Sequence, residues 1–191
     1  KGAWRRRDAG PRTVSAESGC MAQGSAASVN APVGSQSMTH FRGHYEHTMD
    51  SKGRISFPAR YRQVLEARDP TGESTERVIL THALDGNLDV YPLQKWREFE
   101  EELMELPAFK KEVKAVKRMY IGTAQECSLD SNGRLLVPKS MRDFAGLDRE
   151  VVWVGQIDKV ELWSREQWEA ATAQAEADPE SVQEALTDLG F

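Results

Sequence analysis

DSKGRISFPARYR occupies residues 50–62, and DSNGRLLVPKSMR follows at 130–142. Six of the thirteen positions are identical: Asp, Ser, Gly, Arg, Pro and the closing Arg. Two unrelated windows of this length share about one residue by chance, so the chain carries an internal duplication and its fold is read as two copies of one unit. Each copy opens on the same kind of turn. An Asp side chain accepts hydrogen bonds from backbone two residues on, and a Gly takes the left-handed conformation that closes a bulged hairpin. Asp50 and Gly53, then Asp130 and Gly133, are the turn-shaping residues.

Outward from the first turn, FRGHYEHTM (41–49) and RISF (54–57) read as the two arms of a hairpin. Pro58 then stands where a helix can begin, its missing N–H being an orphan there anyway. RVILTHA and LDVYP flank an Asp85-Gly86-Asn87 turn as two further strands. Leu93, Trp96, Phe99, Leu103 and Leu106 recur at helical spacing. Pro107 interrupts, and Phe109, Val113, Val116 and Tyr120 resume the pattern up to Gly122. The first of these helices is acidic outside; the second carries Lys110, Lys111, Lys114, Lys117 and Arg118.

The second copy repeats the order. AQECSL and RLLV flank its turn, a helix runs from Pro138 to Gly146, and EVVWVG and KVELW are strands. Ser164 and Gln167 form a capping box for the last long helix. Trp168 matches Trp96, so the spacing between copies has dropped by eight residues, a difference placed in the DPTGESTE loop at 69–76. The expected organisation is a disordered leader over 1–38, a first unit over 44–94, a helical connector over 95–122, a second unit over 123–166, and a helix with an acidic tail over 167–191. Trp96, Trp153, Trp163, Trp168, Phe57 and Phe144 are expected in the core, and Cys127 as packing.

Composition narrows the function. Net charge is −5, against a protein that coats nucleic acid indiscriminately. Residues 38–191 hold 20 basic and 28 acidic side chains, so DNA binding has to rest on placement. The two cysteines lie far apart and outside any CxxC pair, which favours a reducing compartment. The leader is rich in Gly, Ala and Ser, and its first residue is Lys; Met38 is expected to be the natural start.

A unit of about 45–50 residues struggles to bury enough surface alone, so the two copies are expected to complete one core through interlocked hairpins. The architecture expected is α+β, with two tandem swapped-hairpin units forming an intrachain pseudo-twofold barrel flanked by helices. Arg54 and Arg134, each following its turn glycine, then have two readings. One is a staple, with Arg54 on Asp50 and Arg134 on Asp130. The other is a pair of readers on one face, since an Arg can donate two hydrogen bonds to guanine O6 and N7. Duplication favours the readers, with Asp shaping the turn that aims each Arg. The first hairpin, with Lys52, Arg60 and Arg62, is expected to dominate DNA contact; the second, with Asn132, is expected to be more structural.

Residues 38–191 resemble the MraZ family, on the paired Asp50…Arg54 and Asp130…Arg134 signature. Supporting stretches are FRGHYEHTMDSKGR, LDVYPLQKW, IGTAQECSLDSNGRLLVP and VVWVGQIDKVELW. The resemblance implies SpoVT-AbrB-type units and a cytoplasmic, nucleoid-associated regulator. It further implies a ring-shaped homo-oligomer that binds short direct repeats of double-stranded DNA upstream of the division and cell-wall gene cluster. It implies Arg54 as the DNA-contacting residue, with Lys52 beside it. Residues 1–37 have no place in the family pattern. An enzyme is not expected: no cofactor motif is present, and His44 and His47 point to opposite faces of a strand, which suits no metal set. No membrane partner is expected. The remaining alternative is a partner-binding module of the antitoxin kind.

Overall fold

The computed structural model describes residues 39–69, 72 and 75–190. The expected disordered leader over 1–38 lies outside the described residues, as does half of the 69–76 loop. The first copy comprises β1 (His44–Thr48), β2 (Arg54–Ser56), α1 (Ala59–Arg68), β3 (Arg77–His82), β4 (Leu88–Pro92), α2 (Leu93–Glu105) and α3 (Lys111–Met119). The second comprises β5 (Gln125–Ser128), β6 (Arg134–Leu136), α4 (Lys139–Phe144), β7 (Glu150–Gln156), β8 (Lys159–Ser164), α5 (Arg165–Ala177) and α6 (Pro179–Asp188). A helix pair therefore ends each copy. The helices within 95–122 have their counterpart in 167–191, where α5 matches α2 in length at 13 residues.

The strands pair antiparallel in a six-stranded sheet, ordered β1-β7-β8-β4-β3-β5, and a two-stranded ribbon of β2 and β6. Each outer strand of the large sheet lies against the other copy: β1 on β7, and β5 on β3. The ribbon joins the copies again, with Ile55 opposite Leu135. Phe57 N–H donates to Gly133 O, and Val137 N–H donates to Gly53 O, both at 2.9 Å. At the centre, β4 and β8 set Leu88 opposite Leu162, Val90 opposite Val160, and Asp89 opposite Glu161. Exchanging the copies maps these pairs onto themselves, so a pseudo-twofold axis runs between Asp89 and Glu161.

Period-two alternation assigns the faces. Leu88, Val90, Val160 and Leu162 join Ile55, Leu135, Phe57, Val137, Tyr61, Met141 and Trp153 in a core built from both copies. On the opposite face, α2 covers Ile79 with Leu93 and Trp96, while Val152, Val154 and Trp163 pack with Trp168 of α5. Four of the six aromatics assigned to the core, Trp96, Trp153, Trp163 and Phe57, are buried. Trp168 is half-buried. Phe144 departs from expectation at 41% exposed, because it ends the short α4 and stacks on His82 with ring centroids 3.6 Å apart. Cys127 is half-buried, and burial pushes its thiol up, away from the reactive thiolate.

The capping box is half formed. Ser164 Oγ accepts from Gln167 N–H at 3.3 Å, whereas Gln167 Oε1 is buried without a partner among the described residues. Asp89, on the helix-covered face, is wholly buried and accepts from Lys159 Nζ at 2.7 Å. Burial pushes the Asp89 carboxyl up even with that ammonium beside it.

Two stability measurements follow from a shared core. Leu135→Ala should cost about 3 kcal/mol, the mid-range for truncating a buried leucine. Urea unfolding of that variant, followed by fluorescence and circular dichroism, should still give one transition, since neither copy owns its core. Removing the cation with Lys159→Met should cost about 3 kcal/mol by leaving the Asp89 charge buried without a counter-ion, its one remaining side-chain donor being Tyr91 OH at 3.3 Å. Asp89→Asn in the same chain should recover most of that loss.

Candidate nucleic-acid interface

The two turns superpose bond for bond. Asp50 Oδ1 accepts from the N–H groups of Lys52 and Arg54, each at 2.9 Å. Its Oδ2 accepts from Arg54 Nε and Nη2, both at 2.7 Å. Asp130 Oδ1 accepts from Asn132 and Arg134 N–H at 2.9 Å, and its Oδ2 from Arg134 Nε and Nη2 at 2.8 Å. Gly53 closes the first turn at φ 83° and Gly133 the second at φ 67°, in the region that side chains disfavour. Arg54 N–H, with help from its guanidinium, holds the Asp50 carboxyl down to about 2. Asp130 is lowered as well, the Arg134 side chain being the largest cause.

The staple is therefore formed in both copies. It does not bury the arginines. Ile55 and Leu135 point into the core, which leaves Arg54, Ser56, Arg134 and Leu136 on the outer face of the β2–β6 ribbon. The Arg54 and Arg134 side chains are 35% and 32% exposed. Each pairs with its Asp through the Nε–Nη2 edge, and neither Nη1 has a partner among the described residues. A guanidinium bound on one edge keeps its terminal Nη1–Nη2 fork for a second acceptor. Stapling and reading are thus compatible functions of one side chain.

The other expected residues divide. Lys52 and Asn132 are exposed at the turn tips, and Arg60 is exposed at the start of α1. Arg62 is set apart from them. It lies over the second turn, where a Cβ on Gly133 would sit 2.8 Å from its Cζ, and its Nε is buried without a partner among the described residues. Arg142 does the reciprocal. It covers the first turn, 2.8 Å from a Cβ built on Gly53, and its Nε donates to Val137 O at 3.1 Å. Each copy's helix thus places an arginine lid on the other copy's turn. Sequence reading missed that role, although the closing Arg of the repeated thirteen residues was its signal. Lys139 is paired with Asp143 at 2.7 Å. Among the described residues no three His, Cys, Asp or Glu side chains are grouped to hold a metal ion, and no helix is long and apolar enough to cross a membrane.

These features define a class: an α+β chain of two copies whose strands pair across the duplication and whose twin Asp-turn arginines share one ribbon face. The family described as "MraZ protein, putative antitoxin-like" matches residues 40–119 and again 120–189. Each match takes in one complete copy, helix pair included. A relative from Desulforamulus reducens, named transcriptional regulator MraZ, is 41% identical over 149 residues, covering 78% of this chain and 99% of its own. Relatives of the same name come from Desulfitobacterium hafniense, at 42% over 151 residues (79% and 99%), and Moorella thermoacetica, at 39% over 149 residues (78% and 98%). The chain belongs to the MraZ family.

A carboxylate with a depressed pKa stabilises the fold at pH values above the ordinary carboxylate range, and that contribution disappears as pH falls through the folded value. Carbon-detected NMR should accordingly place the Asp50 midpoint near 2. Arg54→Ala should move it only part of the way back toward about 3.9, the unperturbed value, because the backbone N–H groups at 52 and 54 still donate to Asp50.

Proposed function

We propose that this protein is a transcription regulator that binds double-stranded DNA sequence-specifically through the β2–β6 ribbon. The observation that carries the reading is the pair of stapled arginines on one exposed face, each with its Nη1 unpartnered among the described residues. A two-stranded ribbon fits the major groove, where a bidentate Arg–guanine contact is worth about 1–3 kcal/mol of discrimination. Arg54 and Arg134 contact bases. Lys52, Asn132 and Arg60 lie around them toward phosphate and groove edge, with the first hairpin dominant. Arg62 acts through the turn it covers. The relatives' name, transcriptional regulator, supports the same reading.

The finer proposal is a repressor of the division and cell-wall gene cluster, including its own promoter, working in the cytoplasm on the nucleoid without cofactor or catalysis. The units are of the swapped-hairpin, AbrB-like kind, and the strand exchange across the copies supports this. One or two arginines give modest affinity. A homo-oligomeric ring set on short direct repeats multiplies it through effective concentration. An overall acidic chain then suppresses non-specific binding. The family description favours one alternative, binding of a protein partner in the manner of an antitoxin.

Titrating labelled DNA from the chain's own upstream region tests the reading. Arg54→Ala should lose at least about tenfold in specific affinity with the fold intact, and Arg134→Ala less. Lys52→Ala should weaken binding to all sequences and flatten the salt dependence by about one phosphate contact. An Arg54→Ala chain that binds its operator as tightly as the wild type overturns the assignment.

A further inference from the structure

Beside each stapled arginine the two copies put a different residue. Val137 N–H donates to Gly53 O and Phe57 N–H to Gly133 O, so residues 53 and 137, and 57 and 133, face each other as hydrogen-bonded pairs. Pair types alternate along an antiparallel ladder. Arg54 with Leu136, and Ser56 with Arg134, are therefore non-hydrogen-bonded pairs, the type whose side chains stand closest. Leu136 flanks Arg54, and Ser56 flanks Arg134.

Leu136 is 55% exposed, whereas its chain neighbours Leu135 and Val137 are wholly buried. A lone exposed leucine is ordinary on a protein surface. This one is set apart by its place, on the same outward face as two arginines that the turns hold in position. Any duplex whose base edges reach Arg54 also covers Leu136. An apolar side chain there strips water from polar base atoms and returns no hydrogen bond, which costs affinity. The major groove offers one apolar group to set against it, the 5-methyl of thymine. Side chains of a facing pair stand about 5 Å apart and stacked base pairs about 3.4 Å, so Leu136 reaches the pair next to the one under Arg54.

We propose that Leu136 is a specificity-determining residue that packs on the 5-methyl of a thymine in the base pair adjoining the guanine bound by Arg54. The inference rests on the proposed base reading by the ribbon and deepens it, since it assigns a second base to the site. In the other half, Ser56 brings a hydroxyl that donates to or accepts from whichever base edge it meets, so no thymine is demanded there. The two halves of the face thus ask for different bases. A perfectly twofold ribbon favours a palindrome, whereas this one reads a box with a direction.

Selection from a library of random duplexes by the full wild-type chain supplies the probe, and titration of a duplex carrying one selected box measures affinity. Selected duplexes should hold a thymine next to a guanine at one fixed place. Exchanging that thymine for deoxyuridine removes the methyl alone and should weaken wild-type binding about fourfold, the worth of burying one such carbon. Leu136→Ala should bind the thymine and deoxyuridine duplexes within about twofold of each other, the coupling expected when one partner of a contact is already gone. Leu136→Met should keep the preference. Leu84→Ala, the same truncation at a leucine 71% exposed outside the ribbon, should leave both affinity and preference as in the wild type. An unchanged circular dichroism spectrum and thermal midpoint show that the Leu136→Ala fold survives. A selection that enriches no sequence overturns the base reading and this inference together. Enriched duplexes that lose nothing when any thymine is exchanged, or a Leu136→Ala chain that retains the full wild-type loss, overturn the inference alone.

Discussion

Everything in this fold hangs on the antiparallel pairing of β2 with β6. Two three-residue strands, separated by eighty positions in the chain, exchange hydrogen bonds with each other's turn glycines and press Ile55 and Leu135 into a common core. Without that ribbon, neither hairpin tip has anything to fix its direction. With it, both turns are covered from the partner copy's side by Arg142 and Arg62, and the outer residues of the ribbon are presented on one face. Duplication is therefore a structural requirement here. A single copy would expose half of a core and an unpaired strand edge.

The Asp–Arg pair illustrates how a charge can be restrained without being consumed. Four donors converge on one carboxylate, which lowers its pKa and holds the guanidinium by one edge. Freezing a long side chain in solution normally costs rotamer entropy at the moment of binding, about 2 kcal/mol for Arg. Here much of that ordering is complete in the free protein, and the turn bears it. Partial neutralisation by Asp lowers the general attraction for phosphate. What remains is directional hydrogen bonding, suited to base edges more than to backbone.

The copies share their scaffold and differ on their surfaces. Lys52 becomes Asn132, Ser56 becomes Leu136, and the lysine-rich α3 becomes the acidic α6. None of these positions lies in the common core, so each was open to change without cost to the fold. The same separation explains the helix pairs. Trp96 and Trp168 anchor them to the sheet alike, while the second helix of each pair took opposite charge, basic in α3 and acidic in α6.

Much of this was legible in the letters. The repeated thirteen residues gave the duplication. Asp and Gly within them gave the turn chemistry, since only an acceptor at the first position and a glycine at the fourth satisfy that backbone. Alternation and helical spacing gave the strands and helix pairs. Local pattern determined those features because they depend on neighbours close in sequence. Contacts between the copies were decided by tertiary structure alone. The staple and the outward-facing fork belong to one Arg, so spacing could not choose between them; the ribbon showed the staple formed and the arginine still on its outer face. Arg62 read as one more surface cation until its position over Gly133 became visible. Phe144 read as core because an aromatic at the end of a short helix carries no mark of what lies beneath it. Local chemistry is written residue by residue, but the residue that covers a turn belongs to a segment eighty positions away, and only folding brings the two together.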